Sequence, residues 1–148
     1  MKKLFFYLIV TAIIICVSIL SMNQIRKKPV NDYRVLLKNH ADKGAFHLSQ
    51  ATEFEWDKAV AFKFPVIKEN LERAAETEVD FSYDLREGII FIKNGEIVFK
   101  DIYDSNPEHP SDIIYELNED HLSVYKKDTL ICVVKKDDSF YLVKKSEN

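Results

Sequence analysis

Cysteine and glycine are too scarce here for several kinds of chemistry. Of 148 residues only Cys16 and Cys132 are cysteines, and Cys16 lies in an apolar block remote from the rest of the chain. From residue 31 onward no disulfide can therefore form, and two cysteines supply no metal framework. Cys132 sits inside LICVV, residues 130–134, the setting of a buried, unreactive thiol rather than of a nucleophile. The three glycines, Gly44, Gly88 and Gly95, are too scattered for a phosphate-cradling loop. The histidines, His40, His47, His109 and His121, stand at neither HExxH nor HxH spacing, which leaves zinc ligation without support. No serine has a GxSxG context. No cofactor is implied.

Charge is missing in one direction as well. All 24 acidic residues follow residue 30, whereas five of the 21 basic ones, Lys2, Lys3, Arg26, Lys27 and Lys28, precede it. Residues 31–148 thus carry 16 basic and 24 acidic side chains, a net charge of −8. Nucleic-acid binding requires basic surface to neutralise phosphates, and this acidity opposes it.

One long hydrophobic run is present. Residues 4–22, LFFYLIVTAIIICVSILSM, contain no charge. As a helix they rise roughly 28 Å, close to the roughly 30 Å hydrocarbon thickness of a bilayer. Lys2 and Lys3 precede the run like the basic region of an export signal. Cleavage is disfavoured, because Ile19 or Cys16 would occupy the −3 position for cuts after Ser21 or Ser18. A lipid-anchored Cys16 is disfavoured by Ile15 before it. The expectation is an uncleaved single-pass anchor over residues 1–22 that contacts the lipid bilayer through residues 4–22, and a polar stem over 23–30. A single extracytoplasmic domain follows over 31–148. The lysines before the run hold the amino end inside, and Arg26, Lys27 and Lys28 pull the other way.

Within 31–148, Asn31 is a fair N-cap for NDYRVLLKNHAD, with Tyr33, Leu36 and Leu37 on one face and Gly44 as a stop. Residues 45–53 read as connector. FEWDKAVAFKFP, residues 54–65, alternates with period two. Trp56, Val60, Phe62 and Phe64 face one way, with small Ala59 and Ala61 on the other, the pattern of a strand. Pro65 suits the first turn of a following helix, PVIKENLERAAE, whose apolar stripe is Val66, Ile67, Leu71, Ala74 and Ala75. Trp56 reads as a packed anchor, with a ligand-stacking platform as the functional alternative.

Asn94-Gly95 between two apolar runs is the signature of a type I′ hairpin turn, since both central positions want positive φ. That register sets Lys93 opposite Glu96, Ile92 opposite Ile97, Phe91 opposite Val98 and Ile90 opposite Phe99. The face holding Ile90, Ile92, Ile97 and Phe99 belongs to the core. The other mixes Phe91 and Val98 with Lys93, Glu96 and Lys100, and is a candidate partner surface together with Asp104 and Glu108. Residues 104–112, DSNPEHPSD, form a loop. Ile113–Leu117 with His121–Tyr125, and Thr129–Lys135 with Phe140–Lys144, read as two further hairpins. The expected fold class is α+β: the N-terminal transmembrane helix, then one or two helices packed on an antiparallel β-meander of about six strands.

Acidic residues are the one chemical theme. Asp101, Asp104, Glu108, Asp112 and Glu116 surround the loop, but not at the spacing of a calcium-binding loop. Asp80 and Asp84 are a candidate pair for acid–base work, with a solvated face as the default. The tryptophan–aspartate strand running into a proline-started helix, residues 52–76, resembles a pattern in small secreted or membrane-anchored bacterial proteins of uncharacterised function; the resemblance carries no catalytic residue across. The functional expectation is a membrane-anchored, non-catalytic module that captures a protein partner at the cell envelope, in the manner of an immunity or inhibitor protein. One alternative is an accessory subunit of an envelope complex. Another is a small carboxylate-dependent hydrolase that uses Trp56.

Overall fold

Ile89, Ile90, Phe91 and Ile92 are four consecutive apolar residues. They cannot belong to a strand with one wet face, because successive side chains point to opposite sides. The computed structural model, which describes residues 31–145 apart from 83, 107, 109 and 110, buries both sides. In chain order the elements are α1 (Asn31–Asn39), β1 (Ala45–His47), a 3-10 turn (Leu48–Ala51), β2 (Lys58–Lys63) and α2 (Lys68–Ala75). They continue with β3 (Arg86–Lys93), β4 (Glu96–Asp104), β5 (Ile113–Tyr115), β6 (Leu122–Lys126), β7 (Leu130–Lys136) and β8 (Ser139–Lys144). One antiparallel sheet has the order β4-β3-β2-β6; the other has the order β1-β7-β8-β5, with β5 parallel to β8.

Two cores follow from the alternation. Ala59, Ala61, Ile89, Phe91 and Tyr125 of the first sheet join Ile113, Ile131, Val133 and Leu142 of the second, with Tyr33 and Leu37 of α1. Val60, Phe62, Ile90, Ile92 and Leu122, on the opposite face of the first sheet, are covered by Leu71 and Ala75 of α2 together with Val66 and Val79. Each Leu, Ile or Phe buried this way contributes roughly 1.5–3 kcal/mol, and a central strand covered on both sides doubles the number of such residues per unit length.

The expected α+β meander of about six strands is corrected to a mostly β architecture of eight strands in two sheets with two short helices, among the described residues. The expected β5–β6 hairpin does not form: β5 pairs with β8 and β6 with β2, in different sheets. Between them the Asn118 carboxamide oxygen accepts hydrogen bonds from the backbone of Asp120 and Leu122, and His121 adopts φ 59°. Apolar–turn–apolar patterning is the same for a hairpin and for a crossing between sheets. Residues 45–53 are not mere connector, since β1 pairs with β7 there. α2 begins at Lys68 rather than at Pro65, with Ile67 as N-cap and a cis bond at Phe64–Pro65.

The expected membrane-spanning helix at residues 4–22, like the stem at 23–30, lies outside the described residues. Among the described residues no helix is long and apolar enough to cross a membrane, so the membrane and signal-anchor reading finds no support in the structure.

Candidate functional site

The β3–β4 hairpin turns at Asn94 and Gly95 with φ 52° and 78°, as the dipeptide demands. Lys93 and Ile92 keep their expected partners, Glu96 and Ile97. Beyond them a bulge slips the register: Phe91 faces Phe99, and Ile90 faces Lys100. One extra residue, Val98, is left exposed, and every later side chain of β4 changes face. Phe99 therefore joins Phe91 between the sheets instead of Ile90 and Ile92 beneath α2.

This divides the expected partner surface, withdrawing Phe91 from it and leaving Val98, Lys100, Asp104 and Glu108 exposed. Phe91 is fully buried, with the rings of Tyr33, Phe54 and Trp56 at 5.1–5.2 Å. Lys93 pairs with Glu55 at 2.8 Å, and Lys100 lies over the Phe81 ring at 5.1 Å. Asp104 pairs with Arg86 at 3.3 Å, and Glu108 is an exposed loop residue whose amide donates to the Asn106 side chain. Only Val98 remains a free apolar side chain of that set. Trp56 precedes β2 and packs between the sheets rather than on the Val60–Phe62 face; it is fully buried, and its indole N–H donates to Thr52 Oγ1 at 2.8 Å. Nothing of the indole is left for a ligand.

The slipped register builds a different constellation. Cross-strand rows on the inner face read Ala59–Phe91–Phe99, then Ala61–Ile89–Asp101, then Lys63–Glu87–Tyr103. Polarity grows toward the end of the sheet where β2 finishes and β3 starts. Asp101, nearly buried, receives two hydrogen bonds from the Arg34 guanidinium of α1, at 2.6 and 2.9 Å. Arg34 also reaches Asp112 at 3.2 Å, which Lys38 shares, and it lies 4.8 Å above the Tyr103 ring. Burial opposes the Arg34 charge, yet its bond to Asp101 and the Asp101 charge hold it above its ordinary value. Asp101 and Asp112 are thus committed to cations of α1, and among the described residues no group of three or more His, Cys, Asp or Glu side chains could hold a metal ion.

The last row opens into a cleft of about 60 Å³ between the sheets, lined by Lys63, Glu87, Tyr103, Ser111, Ile113 and Leu117 among others. Glu87 is the innermost charge: its side chain is 11% exposed, whereas that of Lys63, 3.1 Å away, is 53% exposed. Tyr103 donates its hydroxyl to the Ile113 carbonyl at 3.2 Å, and burial pushes its ionisation far up. Glycine at position 88 makes the row possible. A Cβ there would stand 2.1 Å from the Asp101 carbonyl oxygen, at a φ of +155°.

At the same end stand three exposed apolar side chains: Phe64 (45%), Ile67 (60%) and Leu85 (62%). The Phe64 amide donates to the Arg86 carbonyl at 3.0 Å, which extends the β2–β3 pairing one step past the Lys63–Glu87 row. Two of the three occupy positions that disfavour them. Ile67 is the N-cap of α2 and makes no side-chain capping bond where Ser, Thr, Asp or Asn would. Leu85 has φ 56°, a conformation that costs a branched residue energy.

Sequence reasoning missed Glu87, and it placed Asp101 only among the acidic residues around the 104–112 loop, not on the inner face of the sheet. A signal existed for Glu87, which shares the parity of Ile89 and Phe91 and so points inward. None existed for Asp101, because the bulge that turns it inward leaves no mark in the residue pattern. The other acidic expectations do not converge: Asp80 sits 3.9 Å from Lys100 at the sheet surface, and Asp84 is exposed. No family model, no curated protein and no solved structure matches this chain.

Proposed function

We propose that residues 31–145 form a non-catalytic binding module that docks a protein partner on the open end of the β2–β3 pair, around Phe64, Ile67 and Leu85. One observation carries the reading: large aliphatic side chains stand in solvent at two positions, 67 and 85, where local backbone physics disfavours them. Departures from local rules without a compensating interior contact mark functional positions. Exposed large apolar side chains are the composition of an interface anchor. The net charge of −8 over residues 31–148 suits a basic partner, as an inhibitor or immunity-type protein would meet, because complementary charge accelerates encounter.

A photo-crosslinking amino acid placed in turn at Ile67, Leu85 and, as a control, Val134 of the exposed β7 end tests the proposal in the cells that make the protein. A single adduct obtained from positions 67 and 85 but not from 134 supports it. Adducts from 134 alone, or equal labelling at all three, refute the assigned surface.

A further inference from the structure

We propose that the cleft above Glu87 receives the lysine or arginine side chain of a partner segment whose neighbouring apolar residues pack on Phe64, Ile67 and Leu85. The inference rests on the binding-module reading and adds the chemistry of the occupant. Three features select a cationic side chain.

The first is depth. Among the charged groups lining the cleft, the carboxylate of Glu87 lies inside and the ammonium of Lys63 lies at the mouth, 11% against 53% exposed. An anion entering the cleft meets Glu87. A cation entering it displaces Lys63, whose stem is already half in water and which rehydrates as it leaves.

The second is the wall. Tyr103 lines the cleft, and its ring already accepts the Arg34 cation at 4.8 Å. Aromatic faces attract ammonium and guanidinium groups. Its hydroxyl is spent on the Ile113 carbonyl, so the ring rather than the O–H is what an occupant meets. The neighbouring charges, Arg86 with Asp104 and Arg34 with Asp101 and Asp112, are paired among themselves. Glu87 is the carboxylate that lines the cleft, and its own partner is Lys63 at the mouth.

The third is size. A cleft of about 60 Å³ accommodates several water molecules, each needing roughly 10–15 Å³. That is room for a charged head group and its last methylenes. Free metabolites and nucleotides occupy pockets of roughly 300–1,000 Å³. A side chain carried by a protein surface fits this volume, and Phe64, next to Lys63 in the chain, and Leu85, two residues before Glu87, are exposed where its flanks would lie.

The test uses the full-length protein and three synthetic nine-residue peptides of leucine-flanked design, with arginine, norleucine or glutamate at the centre, titrated by fluorescence anisotropy. The arginine peptide is expected to bind at least tenfold more tightly than the norleucine peptide, and the glutamate peptide not at all. Glu87→Gln should remove the arginine preference. Lys63→Ala should tighten arginine binding by removing the internal competitor; this variant changes a half-exposed side chain and keeps the test valid if Glu87→Gln unfolds. Weaker arginine binding in Lys63→Ala, or preference for the glutamate peptide, overturns the proposal in favour of an anion site. Equal binding of arginine and norleucine peptides, lost in Leu85→Ser, overturns the cationic occupant and leaves the docking surface standing. No binding of any peptide, together with no adduct from positions 67 and 85, overturns both.

Discussion

Replacing Gly88 with alanine should be the most damaging single-methyl change in this fold. The added Cβ would lie 2.1 Å from the Asp101 carbonyl oxygen, 2.9 Å from Ile102 Cα and 3.0 Å from the Asp101 carbonyl carbon. All three are backbone atoms of β4, so no side chain can swing away to make room. Gly88 faces Ile102 in the ladder, and parting the strands there loosens the Glu87–Tyr103 row on one side and the Ile89–Asp101 row on the other. Overpacking of this kind costs about 1–3 kcal/mol, and holding a non-glycine residue at a φ that only glycine adopts costs about 1–3 kcal/mol more. The sum, about 4 kcal/mol, is a large share of the roughly 5–15 kcal/mol that stabilises a typical domain. With a urea m-value of about 2 kcal/mol/M, the midpoint should fall by about 2 M. Trp56, the only tryptophan and fully buried, reports the transition by its fluorescence. Gly95→Ala is the control: a Cβ there meets nothing within 4 Å, and only the turn's φ of +78° opposes it. Its cost should be about 1 kcal/mol. If Gly88→Ala lowers the midpoint no more than Gly95→Ala does, the close approach of β3 to β4 is wrong, and with it the register that builds the cleft.

Trp56→Ala should cost about 3–5 kcal/mol in urea unfolding followed by circular dichroism, because it empties a site at the meeting of both sheets and leaves the Thr52 hydroxyl with only its bond to the Ser49 carbonyl; a loss below 1 kcal/mol would contradict the packed-anchor reading. Asp101→Ala should cost about 3 kcal/mol, the low end of the range for breaking a buried pair, since Arg34 keeps some contact with water; the loss should shrink in the Arg34→Leu, Asp101→Leu double variant, and equal losses would show that the pair is not coupled. Burial raises the pKa of Tyr33, Tyr103, Tyr115 and Tyr125, so each is neutral when folded at a pH where an unfolded tyrosine ionises. Their contribution to stability is present below the ordinary value of 10.0 and is lost as pH rises above it. Absorbance at about 295 nm should therefore show these four ionising together with unfolding; gradual ionisation in a protein that stays folded by circular dichroism would refute their burial.

Where the sequence proved legible, the cause was local. Asn31 and the Tyr33–Leu37 stripe mark α1, Asn94-Gly95 marks the hairpin, and the pair of apolar runs around KDDS marks β7 and β8, which pair as expected. Each is decided by residues within one turn or one hairpin of each other. The failures were non-local. Trp56 continued the alternation of β2 on paper, but β2 begins at Lys58, so the indole was free to enter the other core. The Val98 bulge moved Phe99 to the opposite face and brought Asp101 and Tyr103 into line with Ile89 and Glu87. Of the candidate surface, Phe91 is withdrawn for that reason, since it is enclosed between the sheets and by α1, while Val98 stays exposed.

By itself the sequence determined the acidity of residues 31–148, the exclusion of disulfide and cysteine–metal chemistry within them, and the turns and apolar runs that propose strands. These depend on composition and on neighbours along the chain. Tertiary structure alone decided that the eight strands of the described residues divide between two sheets, that β5 and β6 part company at Asn118, and that Glu87 lies at the bottom of a cleft with Lys63 at its mouth. The physical reason is that an apolar run records only that a residue must be buried. What it is buried against depends on pairings between strands far apart in the chain, and here one bulge was enough to reverse the face on which half of a strand is read.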